Sequence, residues 1–313
     1  MPRTKLLIVH FRHNRYKEYL EHAEPRLEIT SFDFRDSIPF ESHDAEILIG
    51  WKFQEGLLER LPRLRWISAA AAGVDNIIKA LPPETKIVVT KAVATMGEFM
   101  ADYVLTFVLA HLRKLKKITL QQREKLWRYV LPDLVMRSTL GIIGLGNIGS
   151  QIASKAKAIG MTVLAAKREP IHDPPCDRLY TGESWHEMLP LCDFVVLAVP
   201  HTKFTERMIG AAELSSMKPT AVMINISRGV IVDEAALLDA LAAETIGGAV
   251  LDVFDEEPLP PEHPFWEIEN VVVTPHCAGT SEDGPICDEF LENFERWLRG
   301  EPLARVADPK RGY

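Results

Sequence analysis

Thr139-Leu-Gly-Ile-Ile-Gly-Leu-Gly-Asn-Ile-Gly149 sets glycines at 144, 146 and 149, a G-x-G-x-x-G spacing. Such a spacing says little alone. Here an apolar run, Thr139–Ile143, leads into it. Ile148, Ile152, Ala156 and Ile159 then recur at helical intervals, and a second apolar run follows at Thr162–Ala165. Strand, glycine turn, helix and strand together make the context in which the motif cradles a pyrophosphate. Gly144 serves the tight turn, Gly146 the close approach of backbone to the anion, and Gly149 the packing of helix on strand. Asn147 and Ile148 open the helix, whose first N–H groups and partial positive charge face the phosphates. A bare glycine turn at a βα junction is the plainer alternative, and it does not account for the flanking pattern.

The same alternation extends outward in both directions. Apolar runs stand at Leu6–Val9, Ala45–Ile49, Arg65–Ala69 and Lys86–Thr90, and later at Phe194–Val199, Ala221–Ile226, Gly248–Val253 and Val271–Thr274. Runs of this kind, spaced by helix-length segments, fit strands buried on both faces of a parallel sheet. The expected fold is α/β with two doubly wound parallel-sheet domains. A long helix is expected from Gly97 to about Lys117, followed by a polar connection through Gln121–Arg128. A last helix is expected at Asp283–Arg299, capped by Gly300.

Composition narrows the function. The chain has 313 residues, 47% of them hydrophobic and 26% charged, with net charge −8. No dense basic face suited to nucleic acid is visible. No run approaches the ~18–20 apolar residues of a membrane span, and the five at the start are too few for a signal-peptide core, so a cytoplasmic protein is expected. The cysteines at 176, 192, 277 and 287 are scattered without a C-x-x-C pair, which argues against a metal site or disulfide framework. At the end of the second strand stand Lys167 and Arg168, where an NAD site usually carries an acid for the ribose 2′-hydroxyl. Two cations would instead attract a 2′-phosphate, so NADP(H) is expected over NAD(H). A solvated basic loop is the competing reading.

Further motifs follow in order: Ala72-Gly-Val-Asp75, Gly97-Glu-Phe-Met-Ala101, Val199-Pro-His-Thr202, Asn225-Ile-Ser-Arg-Gly-Val-Ile-Val-Asp233, Leu251-Asp-Val-Phe-Asp-Glu-Glu-Pro258 and Thr274-Pro-His-Cys-Ala-Gly279. With the glycine motif among them, the chain resembles the D-isomer-specific 2-hydroxyacid dehydrogenases, closest in pattern to the glyoxylate/hydroxypyruvate reductases, over nearly its whole length. The resemblance implies a Rossmann cofactor domain at 99–283 and a flavodoxin-like substrate domain at 1–98 completed by 284–313, with the active site in the cleft between them. It implies reduction of a small 2-oxo acid to the D-2-hydroxy acid, by a chain that usually forms a homodimer.

The resemblance assigns Arg228 to substrate binding, His276 to acid/base catalysis and Glu257 to its support. Asp252 matches a position near the nicotinamide carboxamide, and Pro200 belongs to a cofactor-side motif. Ala72 and Gly73 fall in the substrate-carboxylate loop, and Trp51 resembles a pocket-wall tryptophan, although core packing explains Trp51 equally well. The chemistry agrees. Arginine presents a planar fork to a carboxylate, and imidazole transfers protons near neutrality. Glu257 can accept the second ring N–H of His276 and favour the protonated form. Taken singly, each has a plain alternative: a surface ion pair for Arg228, a strand-end histidine for His276, a solvated acid for Glu257.

Two positions depart from the pattern. Asn147 stands where many relatives carry arginine, and Cys277 replaces a commonly aliphatic residue; a reactive Cys277 would need a neighbourhood that lowers its pKa. A dinucleotide-sensing, corepressor-like protein on the same fold is the alternative function, and its likeness in catalytic residues leaves it open.

Overall fold

The computed structural model describes residues 3–39, 42, 44–82, 84–309 and 311–312. Contacts divide the chain into two compact units, Met1–Thr95 with Ser281–Tyr313, and Met96–Thr280.

The first unit has five parallel strands in the order β2-β1-β3-β4-β5. They are β1 (Thr4–Val9), β2 (Leu27–Phe32), β3 (Ile47–Gly50), β4 (Trp66–Ala69) and β5 (Val88–Lys91), with helices α1 (His13–Ala23) and α2 (Asp75–Ala80) among the connections. This is the flavodoxin-like order, with its switch point between β1 and β3. The terminal helix, Asp283–Arg299, packs on one face, where Phe290 stacks on the fully buried Trp66 with ring centroids 5.0 Å apart. Gly300 ends that helix in the left-handed conformation, φ 68°, as its sequence position led us to expect.

The second unit has seven parallel strands in the order β12-β11-β10-β9-β6-β7-β8. Helices α3 (Met96–Leu112) and α4 (Leu115–Arg123) precede β6 (Thr139–Ile143), α5 (Asn147–Ala158), β7 (Thr162–Lys167) and β8 (Arg178–Thr181). Then come β9 (Phe194–Leu197), α6 (Ala211–Ser216), β10 (Val222–Asn225), α7 (Glu234–Ala242), β11 (Gly248–Leu251) and β12 (Val271–Val273). The sheet is a Rossmann arrangement. One apolar cluster, including Val195, Met223 and Ala249, covers one face, and another, including Ile142, Val196 and Ile224, covers the other.

Two strands were not anticipated. In β2, Leu27 and Ile29 are buried while Glu28 and Thr30 are exposed, the alternation of an edge strand covered on one face. β8 is a short edge strand with Arg178 and Thr181 at its ends. A search for continuous apolar runs passes over both. The expected helix from Gly97 to Lys117 is two helices, because Lys114 adopts φ 55° and turns the chain; Gln121–Arg123, expected in a connection, is helical. Strands β9, β10 and β11 each end two residues or one residue before their apolar runs do. At Val199 the reason is visible: its N–H is taken by the Ser227 hydroxyl (3.1 Å) instead of a neighbouring strand.

Among the described residues, no helix is long and apolar enough to cross a membrane.

Candidate active site

The glycine turn follows β6. Gly144 and Leu145 both donate their N–H to the carbonyl of Ala166 on β7, at 3.0 and 3.1 Å. Gly144 has φ 107°, and a β-carbon there would overlap the Ala198 carbonyl. A β-carbon at Gly149 would overlap the Gly144 carbonyl, so the helix lies directly against the turn. Gly146 is the opposite case: a β-carbon there meets nothing within 4 Å. The exposed Gly146 and Asn147 and the half-buried Ile148 therefore border open space at the N-terminus of α5, whose first turn holds no acidic residue. This cradle fits a dinucleotide pyrophosphate in shape and in sign of charge.

At the end of β7 the two cations differ. Lys167 is half-buried, and its Nζ donates to the Leu145 carbonyl (2.8 Å), bracing the turn; Arg168 is exposed. Pro200, after β9, is exposed, and its carbonyl accepts from the Thr205 hydroxyl (2.7 Å).

Three neighbouring strands, β10, β11 and β12, deliver the remaining groups at their carboxyl ends, where open α/β sheets bind ligands. The loop after β10 is held internally. Buried Ser227 donates its hydroxyl to the Leu197 carbonyl (2.7 Å), and buried Asn225 accepts from Ser227 N–H (3.0 Å) and donates to the Arg228 carbonyl (2.9 Å). This fixes the backbone of Arg228, whose half-buried side chain donates to the Ser227 carbonyl (2.8 Å). Gly229 follows, and any β-carbon there would overlap the Phe254–Asp255 backbone.

After β11, Glu257 accepts the Phe254 N–H through Oε1 (3.0 Å) and holds His276 Nδ1 through Oε2 (2.7 Å). A carboxylate only accepts, so Nδ1 carries the hydrogen in this contact. Burial pushes the Glu257 carboxyl up. The hydrogen bonds from His276 and Phe254, with the positive charge of Arg228, outweigh burial and hold it below its ordinary value.

His276 follows β12 at φ 50°, a left-handed conformation that a residue with a β-carbon keeps only when its surroundings impose it. Its N–H donates to the Asp252 carbonyl (2.9 Å). The Asp252 carboxylate, 1% exposed, accepts the Thr274 hydroxyl (2.6 Å) and Cys277 N–H (2.8 Å) at Oδ1 and Ala278 N–H (2.8 Å) at Oδ2. Cys277 is exposed, but partial desolvation and the nearby Asp252 push its thiol up, which opposes a reactive thiolate.

The fold thus gathers Arg228, Asp252, Glu257 and His276 at one edge of one sheet. Trp51, half-buried after β3, and the half-buried Ala72 and exposed Gly73, after β4, belong to the first unit. Sequence reading missed Asn225, Ser227, Gly229 and Thr274 as positioning residues. The only signal for them was their place inside motifs quoted for other residues.

Comparisons with known proteins agree with this frame. The family model "D-isomer specific 2-hydroxyacid dehydrogenase, NAD binding domain" matches residues 105–278. A glyoxylate reductase of Korarchaeum cryptofilum is 35% identical over 259 residues, spanning 78% of this chain and 76% of that protein. The crystal structure of a D-isomer specific 2-hydroxyacid dehydrogenase from Xanthobacter autotrophicus, in complex with NADPH and MES, superposes with TM-score 0.90 at 31% identity, covering 99% of this chain and 100% of the other. An NADPH-dependent glyoxylate/hydroxypyruvate reductase from Sinorhizobium meliloti gives TM-score 0.91 at 27% identity, again with 99% and 100% coverage. Fold, glycine cradle and sequence kinship lead to one assignment: the chain is an oxidoreductase belonging to the D-isomer specific 2-hydroxyacid dehydrogenase family.

Proposed function

We propose that the chain reduces a small 2-oxo acid of the glyoxylate or hydroxypyruvate kind to the D-2-hydroxy acid, with NADPH used in preference to NADH. The observation that carries this reading is the 2.7 Å contact between His276 Nδ1 and Glu257 Oε2, next to the strand end that presents Arg228.

Gly144, Gly146, Asn147, Ile148 and Gly149 hold the pyrophosphate, Arg168 meets a 2′-phosphate, and Pro200 and Asp252 border the nicotinamide. The bound cofactor supplies the hydride. Arg228 receives the substrate carboxylate in its guanidinium fork and polarises the 2-oxo group. With Nδ1 held by Glu257, His276 turns Nε2 to the substrate and donates its proton to the oxygen that becomes the hydroxyl. The Glu257 carboxylate balances the positive ring before transfer and fixes its orientation. In the first unit, Ala72 and Gly73 offer backbone N–H groups suited to a carboxylate, and Trp51 is its candidate for specificity.

Nicotinamide absorbance, followed with a panel of 2-oxo acids and both cofactors, tests the activity. Arg228→Ala should lower kcat/KM by about 100-fold or more, since a charge-assisted two-pronged contact is lost, and Arg228→Lys should restore little. Near-parental kcat/KM in Arg228→Ala would remove Arg228 from this role.

We also propose that the chain forms a homodimer. Trp127, Tyr129, Leu131 and Met136, between α4 and β6, are 103, 85, 73 and 70% exposed, a concentration of apolar surface suited to a second copy. Sedimentation should show a dimer that Trp127→Glu weakens; a monomeric parent at micromolar concentration contradicts the proposal.

A further inference from the structure

Beyond Arg228, Glu257 and His276, the second unit contains a chain of hydrogen bonds that ends on the histidine loop. Tyr103, on α3, places its hydroxyl 2.6 Å from Thr274 Oγ1, which lies 2.6 Å from Asp252 Oδ1. The carboxylate accepts, so the single hydroxyl hydrogen of Thr274 points to Asp252. Tyr103 must then be the donor to Thr274, which fixes the order Tyr103 to Thr274 to Asp252. Burial, reinforced by Asp252 and only partly offset by the bond to Thr274, raises the Tyr103 hydroxyl well above its ordinary value and keeps it a donor.

Asp252 holds the loop around the histidine at several points: the Thr274 hydroxyl two residues before it, the N–H of His276 itself, and the N–H groups of Cys277 and Ala278 after it. His276 has φ 50° and needs such an external hold. The same helix closes on the loop a second time, where a β-carbon added to Gly279 would press on Met96 and Met100.

The geometry points to Tyr103 and Thr274 as positioning residues for the reduction, tethering the histidine loop to α3 through Asp252 and so setting where the His276 ring stands. The inference rests on the reading of His276 as the acid. It assigns the pair an effect on turnover, separate from cofactor binding, although Asp252 lies near the expected nicotinamide site.

Thr274→Val keeps the shape and removes the hydroxyl; Thr274→Ser keeps the hydroxyl; Tyr103→Phe removes only the first donor. For each, and for the double variant Tyr103→Phe/Thr274→Val, kcat and KM are measured, with the NADPH dissociation constant from fluorescence without substrate and the melting temperature. Thr274→Val should lower kcat about tenfold and Tyr103→Phe about fivefold, as expected for loss of one or two hydrogen bonds in one network. Dissociation constants should stay within about twofold of the parent. Thr274→Ser should recover most of the loss, and the double variant should be no worse than Thr274→Val, because both act through one chain.

Parental kcat in Thr274→Val overturns the tether. So does a serine variant no better than valine, or an NADPH constant that rises in step with the loss of kcat. If Thr274→Val does not fold, Tyr103→Phe decides by the same split between kcat and NADPH binding. His276→Gln is the control. If it keeps parental kcat, the reading of the acid fails; if it is inactive while Thr274→Val and Tyr103→Phe match the parent, only the tether fails.

Discussion

Two loops of the second unit do the same structural task by opposite means. The turn after β6 is shaped by what its residues lack: Gly144, Gly146 and Gly149 leave room for a turn, an anion and a helix. The loop after β12 is shaped by what its residues reach: His276, Cys277, Ala278 and Thr274 all donate to Asp252. The first loop is defined by local steric exclusion, the second by distant hydrogen bonds. A methyl group added at Gly144 or Gly149 should break the first outright, whereas the second should yield in steps as single polar atoms are removed.

Gly149→Ala is the severest test of that contrast. The new methyl group meets a backbone carbonyl, which has no flexible end to give way, so helix and turn must separate. Overpacking of this kind costs about 3 kcal/mol, which for a unit of this size lowers Tm by roughly 6–12 °C. NADPH binding should be lost with it. Gly146→Ala faces open space, so it should leave Tm unchanged and weaken only the cofactor. Calorimetry and cofactor titration check both; a Gly149→Ala protein with parental Tm and NADPH affinity breaks the steric account.

The cations beside the glycine turn sharpen the comparison, because only one of them points outward. Lys167 braces the Leu145 carbonyl, so Lys167→Ala should weaken NADPH and NADH alike and leave their ratio unchanged. Arg168 is exposed, and Arg168→Ala should cut the ratio of NADPH to NADH kcat/KM by about tenfold at low salt, the size of one partly screened charged contact. Steady-state kinetics with both cofactors decides. An unchanged ratio in Arg168→Ala would leave this cation a solvated loop residue.

The same contrast explains what the sequence made legible. The glycine turn spans eleven consecutive residues and could be read from its spacing together with the apolar runs and helical pattern beside it, and strands buried on both faces could be read from their continuous apolar runs. Edge strand β2 could not, because its alternating Leu27-Glu28-Ile29-Thr30 lacks a continuous apolar run. The break at Lys114 carries no proline or glycine to announce it. Arg228, Glu257 and His276 became candidates through motif order. Their supports stayed invisible: Tyr103 lies 171 positions from Thr274, and nothing local marks a tyrosine on an apolar helix as the partner of a strand-end threonine. Asn225 and Ser227 were quoted inside a motif without roles, since only the folded loop shows which atoms they satisfy.

The mildest intervention removes one charge from the histidine loop. Glu257→Gln keeps size and can keep a hydrogen bond to His276 Nδ1, but an amide cannot balance a positive ring. The carboxyl of Glu257 sits below its ordinary value because, against burial, its bonds to His276 and Phe254 and the Arg228 charge favour the ionised form. The pairing with a protonated ring therefore persists as pH falls through the usual carboxylate range and is lost only below it. Reduction requires the protonated ring, so Glu257→Gln should lower kcat/KM wherever Glu257 is ionised in the parent, and the gap between parent and variant should close only as pH falls below the usual carboxylate range. Both side chains are more than a third exposed, at 36% and 41%, which limits the contact to roughly 1 kcal/mol, or about fivefold in kcat/KM near neutrality. The pH–rate profile of the variant, taken where chemistry limits turnover, provides the check. Parental kcat/KM at every pH would mean Glu257 only orients the ring, and a gap that already closes within the usual carboxylate range would contradict the pairing.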